Sequence, residues 1–196
     1  GAGLLDIQQA FHYAGQVNVG GGTLALGGGG SQSGSFDVSG GALLDLSGGH
    51  TLDGARFTSG DSGTVNLSGP LAMSGTVGIG SGVDFTLPAT GSVTGGGVLD
   101  NQGTLRAAGV SLPATLLNSG TAYLNGGAVA GNVTNTGTLD LTGSVLFSGS
   151  NVLLSAGTVN LNSGAVLTKS GGFLNWAGGN IAGNGSLAFV NGGELT

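Results

Sequence analysis

The chain has 196 residues, of which 46 are glycine and none cysteine, and its three basic and nine acidic side chains leave a net charge of −6. So little positive charge argues against nucleic-acid or anionic-membrane binding, and the absence of cysteine excludes disulfides and thiolate metal sites. An apolar fraction of 39%, a positive mean hydropathy and only three prolines exclude disordered and collagen-like chains.

In chain order, Leu4-Leu5-Asp6-Ile7 matches Leu43-Leu44-Asp45-Leu46 and reads as a strand; the alternative over Leu4 to Ala14 is a helical cap with Ile7, Phe11 and Ala14 on one face. A phrase of Gly, Thr and alternating apolar positions then recurs, as Gly22-Thr23-Leu24-Ala25-Leu26, Gly63-Thr64-Val65-Asn66-Leu67 and Gly75-Thr76-Val77-Gly78-Ile79. It returns at Gly103, Gly120, Gly137 and Gly157, and the first three of these are equally spaced. Ser35-Phe36-Asp37-Val38 and Ser186-Leu187-Ala188-Phe189 keep the same alternation. Period-two patterning puts Leu139 and Leu141 on one face of a strand and Thr138 and Asp140 on the other. Clusters such as Ser47-Gly48-Gly49 and Ser148-Gly149-Ser150-Asn151 supply the corners, because Gly and Asn tolerate positive φ.

Short strands at a fixed period bury their apolar face only by stacking on neighbouring repeats. The expected fold is all-β: a right-handed parallel β-helix (solenoid) with rungs of roughly 17–22 residues. Residues 1–196 read as one continuous solenoid and as a segment of a longer repeat protein. Nine or ten rungs of about 4.8 Å each predict a rod roughly 45 Å long. The grouping of strands into rungs stays open in residues 22–41 and 161–185.

The acids are Asp6, Asp37, Asp45, Asp53, Asp61, Asp84, Asp100, Asp140 and Glu194. Polysaccharide cleavage on this fold needs acids clustered on one face. Asp37 with Asp53, or Asp84 with Asp100, are the conceivable pairs, but isolated outward carboxylates read as a solvated face. Ser59-Gly60-Asp61-Ser62-Gly63 comes nearest to a calcium repeat, yet occurs once where such sites need regular recurrence. His12 and His50 lie far apart without acids at ligand spacing and read as turn or surface residues. Thr23, Thr64, Thr76, Thr104, Thr121, Thr138 and Thr158 form a candidate outward column. The irregular second outward position, which includes Arg106 and Tyr123, argues for a plain Thr ladder and against an ice-binding plane. Phe36, Phe57, Phe85, Phe147, Phe173 and Phe189 read as core stacks. Tyr123 and Trp176 are the candidates for stacking on a sugar, with end or interface packing the alternative for Trp176. No catalytic, metal-binding or cofactor-binding residue is assigned, and no cofactor is expected.

Asn101-Gln102-Gly103-Thr104-Leu105, Asn118-Ser119-Gly120-Thr121 and Asn135-Thr136-Gly137-Thr138-Leu139 resemble the repeats of bacterial exported β-helical adhesins. The named families are filamentous-haemagglutinin-like proteins and autotransporter passengers. Residues 46–54 and 176–187 are similar to other phrases of such surface proteins. The resemblance implies export, an extracellular or cell-surface location and a non-enzymatic role as stalk or adhesive rod, and it carries over no catalytic residue. There is no Asn-Pro-Asn-Gly-Ile phrase and no membrane-barrel segment, so the secretion route is open. A glycan or surface receptor is the expected partner. The rival readings are a self-assembling fibre subunit and a polysaccharide-binding or polysaccharide-cleaving β-helix.

Overall fold

The computed structural model describes residues 3–87 and 92–196. Each turn of chain lays down three short strands, and each strand pairs in parallel with its counterpart one turn later. The result is a parallel β-solenoid of about nine turns, without helix among the described residues. Leu4–Ile7, Thr23–Leu26, Leu43–Leu46, Gly63–Leu67, Val83–Leu87 and Thr104–Ala108 open the first face. It continues through the first halves of Thr121–Val129 and Thr138–Phe147 to Thr158–Leu161 and Asn180–Gly183.

The second face starts as a four-stranded sheet of Gly30–Gln32, His50–Asp53, Leu71–Ser74 and Val93–Gly95. Beyond it, Thr121–Val129 and Thr138–Phe147 run round the corner and pair with Ser111–Leu112, Val166–Ser170 and, through the last of these, Ser186–Val190. That bend is taken at Asn125 and Gly127, where the register shifts. The third face is a ten-stranded sheet from Gln16–Val19 to Glu194–Leu195.

The first-face register steps through Thr23, Leu43, Thr64, Asp84, Thr104, Thr121, Thr138, Thr158 and Asn180. Every step in that series falls within the expected rung length. The same series resolves the grouping in 22–41 and 161–185. Leu4–Ile7 is a strand paired with Thr23–Leu26, as its match to residues 43–46 predicts, and Leu4 to Ala14 contains no helix.

Alternation fills the interior. Leu24, Leu44, Val65, Phe85, Leu105, Ala122, Leu139 and Val159 form one inward column of the first face, all buried. Full burial of a large apolar side chain stabilises by roughly 1.5–3 kcal/mol, and the inner rungs supply most such side chains, whereas Leu4, Leu5 and Leu195 at the two ends are exposed. Phe36 and Phe57 stack at 5.6 Å between ring centres, and Phe85 meets Phe57 across the interior at 5.1 Å. Phe147 is buried as expected and Phe189 is partly buried, but Phe173 is exposed: it occupies an outward position in Phe173–Trp176, in register with Asn151.

The recurring glycine has a steric cause at the corner between the third and first faces. A Cβ on Gly120, Gly137 or Gly157 would strike the carbonyl oxygen of Gly103, Gly120 or Gly137, one rung back, well inside contact distance. The corner packs backbone on backbone, and only glycine leaves room for it.

Candidate functional site

Outward positions on the first face form two polar columns. In the first, Thr104, Thr121, Thr138 and Thr158 stack without interruption, whereas Leu43 and Asp84 break the series before them. Thr76 belongs to the third face, paired with Val98, so it is no member of the column. The second column runs through Asp45, Asn66, Thr86, Arg106, Tyr123, Asp140 and Asn160.

At its centre an ion pair, a cation–π contact and a groove coincide. The Arg106 Nε donates to both carboxylate oxygens of Asp84, at 2.9 and 3.0 Å, the one ion pair among the described residues. The same guanidinium lies over the Tyr123 ring, 4.7 Å from its centre. The hydrogen bond to Asp84 is the main cause that holds the Arg106 guanidinium even more firmly protonated than usual. Beside these groups is an open groove of about 200 Å3, lined by Thr86, Leu87, Arg106, Ala108, Tyr123 and Asn125. Tyr123 is 40% exposed. Trp176 is also exposed, but it ends a third-face strand, where its indole N–H donates to the Gly179 carbonyl at 3.3 Å. The two aromatic candidates therefore lie on different faces.

The acids are dispersed, and most are tied to a donor one rung on. Asp45 accepts from Asn66 at 3.0 Å, Asp53 from Ser74 at 2.9 Å, and Asp140 from Asn162 at 2.5 Å. Thr58 reaches Asp37 at 3.4 Å. Asp37 lies on the third face and Asp53 on the second; Asp84 lies on the first and Asp100 on the third. Neither conceivable pair is brought together. The Ser59 hydroxyl accepts from the backbone N–H of Asp61 and of Gly63, both at 3.1 Å, so Ser59 to Gly63 closes a tight turn. No group of three or more potential metal-ligating side chains occurs among the described residues.

Three buried polar features escape a reading by composition. His50, expected at a turn or on the surface, is 3% exposed and points inward at the start of His50–Asp53. Its Nδ1 faces the Gln32 side-chain oxygen at 3.2 Å and its Nε2 the Leu26 carbonyl at 2.9 Å. Gln32 in turn donates to the Phe11 carbonyl at 2.7 Å. Burial pushes the imidazole below its ordinary titration range, against the opposing pull of the Leu26 carbonyl and the Asp45 charge. His12 is exposed, as expected, and its Nδ1 accepts from the Ser31 N–H.

Asn101, Asn118 and Asn135 form a buried ladder at the ends of third-face strands, in register with Ile79 before it and Leu154 after it. Asn101 donates to the Asn118 side-chain oxygen at 2.6 Å, and Asn118 to that of Asn135 at 2.7 Å. Each also satisfies a corner carbonyl, of Thr121 and Thr138 respectively, while Asn135 reaches that of Gly137. The ladder stops at Ile79, which leaves the Asn101 side-chain oxygen buried without a donor. The third feature is Lys169, wholly buried between Phe147 and Phe189 in register. Its ammonium donates to the carbonyls of Gly149, at 2.8 Å, and Gly171. Burial lowers its pKa from the usual lysine value. The sequence carried a signal for each. Asn recurs at the interval of the corner phrase, and strict alternation puts His50 on the side of Leu52 and Lys169 on the side of Leu167.

No protein-family model, curated protein or solved structure matches the chain.

Proposed function

We propose that this chain is a non-enzymatic, load-bearing rod: a stalk or passenger segment of a bacterial cell-surface or secreted β-helical adhesin. The observation that carries the reading is that successive rungs are bonded from core to surface. Apolar columns and the asparagine ladder join them inside, backbone hydrogen bonds join them in the walls, and the pairings from Asp45 to Asn66 and from Asp140 to Asn162 join them outside. Carboxylates so engaged brace the wall, and their distribution over three faces suits support better than hydrolysis, which needs two carboxyl groups across one bond. The likeness of the corner phrases to exported adhesin repeats points to the same role and to the bacterial surface.

Single-molecule pulling between the two ends tests the mechanical part. Rungs should release in steps of about 55–80 Å, the extended length of one turn of chain. Extension of the whole chain in one low-force event would overturn it. Antibody labelling of intact source cells tests location, and label seen only after permeabilisation counts against surface display.

A further inference from the structure

We propose that the groove beside Arg106 and Tyr123 is a binding site for one ring of a neutral polysaccharide whose chain runs along the rod axis. The proposal deepens the adhesive side of the rod reading by naming the ligand class of one lateral site, and it does not depend on load-bearing.

Four observations converge there. First, Tyr123 is 40% exposed, and the part of its ring that Arg106 does not cover stands beside a groove whose lining includes Ala107 and Ala108; an apolar ring beside small residues suits the C–H face of a pyranose. Second, Arg106 is held in place from two sides, by both oxygens of Asp84 and by the Tyr123 ring. Only its Nε is engaged with Asp84, which leaves the terminal guanidinium nitrogens as oriented donors. Third, the charge of Arg106, which lines the groove, is balanced by Asp84, its partner just outside that lining, so donor and acceptor are paired with no net charge. Neighbouring hydroxyls of a sugar each donate and accept, so a paired Arg and Asp answers a diol better than it answers an anion. Thr86 and Asn125 add polar groups at the rim. Fourth, the groove, at about 200 Å3, is smaller than the roughly 300–1,000 Å3 of sites that enclose a drug-sized ligand. It holds one ring and leaves the rest of the chain on the surface.

The direction of that chain follows from the ladder. Beyond Tyr123 the same column presents Asp140 and Asn160, one rung apart at about 4.8 Å. That spacing is close to the advance per residue of an extended β-linked glycan, so successive sugars meet successive polar rungs. The side chains are already braced before any ligand arrives, so little ordering is left to oppose binding.

The test is calorimetric titration of the intact chain with cellohexaose, laminarihexaose, mannohexaose and chitohexaose in turn, with trigalacturonate as the acidic counterpart. At least one neutral oligosaccharide should bind. Its affinity should fall by about tenfold or more in Tyr123→Ala and in Arg106→Gln, the scale of one lost aromatic or charged contact. Trp176→Ala, on another face, should bind as the parent does. Both site variants are outward-facing, and an unchanged melting temperature confirms that each is folded; should one fail that check, the other decides. Absence of binding by all four neutral probes, equal affinity in the folded variants, or a preference for trigalacturonate would each overturn the proposal. None of these results touches the pulling experiment, so the site can fail while the rod stands.

Discussion

At the scale of single residues, His50 shows how a largely apolar interior handles a titratable group. A neutral imidazole has one N–H, and here two oxygens face the two ring nitrogens, so the site satisfies one contact fully in either tautomer. Protonation would serve both, but burial opposes it and is the larger influence. The folded pKa is therefore depressed, and the unfolded chain takes up the proton first. Stability owed to His50 is present above the unfolded histidine value of about 6.5 and is lost as pH falls below it, towards the folded pKa. The urea midpoint of the parent should accordingly drop between pH 7 and pH 5, and His50→Gln should lose the histidine-dependent part of that drop. Identical pH slopes for the two proteins would show that His50 does not contribute. Lys169 illustrates a different solution: the ammonium stays in the core because backbone carbonyls of the corner surround it.

Between elements, the asparagine ladder does what an aliphatic column cannot. It ties three consecutive strands of the third face and, through the carbonyls of Thr121 and Thr138, anchors the corner into the first face. Asn118 sits in the middle, accepting from one neighbour and donating to the other. Removing it leaves the buried Asn101 amide short of an acceptor, and the buried Asn135 oxygen and the half-buried Thr138 carbonyl short of a donor. Asn118→Ala should therefore cost about 2–4 kcal/mol, because stranded buried groups lose their desolvation in full. Asn66→Ala, which removes an outward bond to Asp45, should stay within about 0.5 kcal/mol. Chemical denaturation of both variants checks the contrast, and equal costs would mean that the ladder is only filling space.

For the molecule as a whole, stability is a sum of rung and neighbour-rung terms. Thr104, Thr121 and Thr138 share one column, as do Asn101, Asn118 and Asn135, so one turn of this regular stretch can be removed without changing any register. Deleting residues 121–137 joins Gly120 to Thr138 and restores the corner phrase. The product should keep the parent's circular dichroism per residue and be shorter by about 4.8 Å in small-angle scattering. Loss of β signal would show that the bend at Asn125 and Gly127 is needed to carry the second face from one strand system to the next.

The chain by itself determined the strand, the parity and the period. Alternation in Gly137-Thr138-Leu139-Asp140-Leu141 is enough to say which side chains are inward, and equal spacing of the glycine phrase is enough to say that rungs stack. Those are local properties, readable along one strand or from one repeat to the next. What the tertiary structure alone decided was which residues meet across a rung or round a corner. Sequence spacing allows Asp84 to face Asp100, but they occupy different faces, and Asp84 meets Arg106. Thr76 repeats the phrase yet lies on another sheet, because each turn contains three strands that use the same vocabulary. His50 and Asn118 are polar by composition and buried by position, since a solenoid corner leaves inward carbonyls that only a polar side chain can satisfy. The groove at Tyr123 is a product of stacking too: its walls come from strands on successive rungs, and no single repeat contains the site.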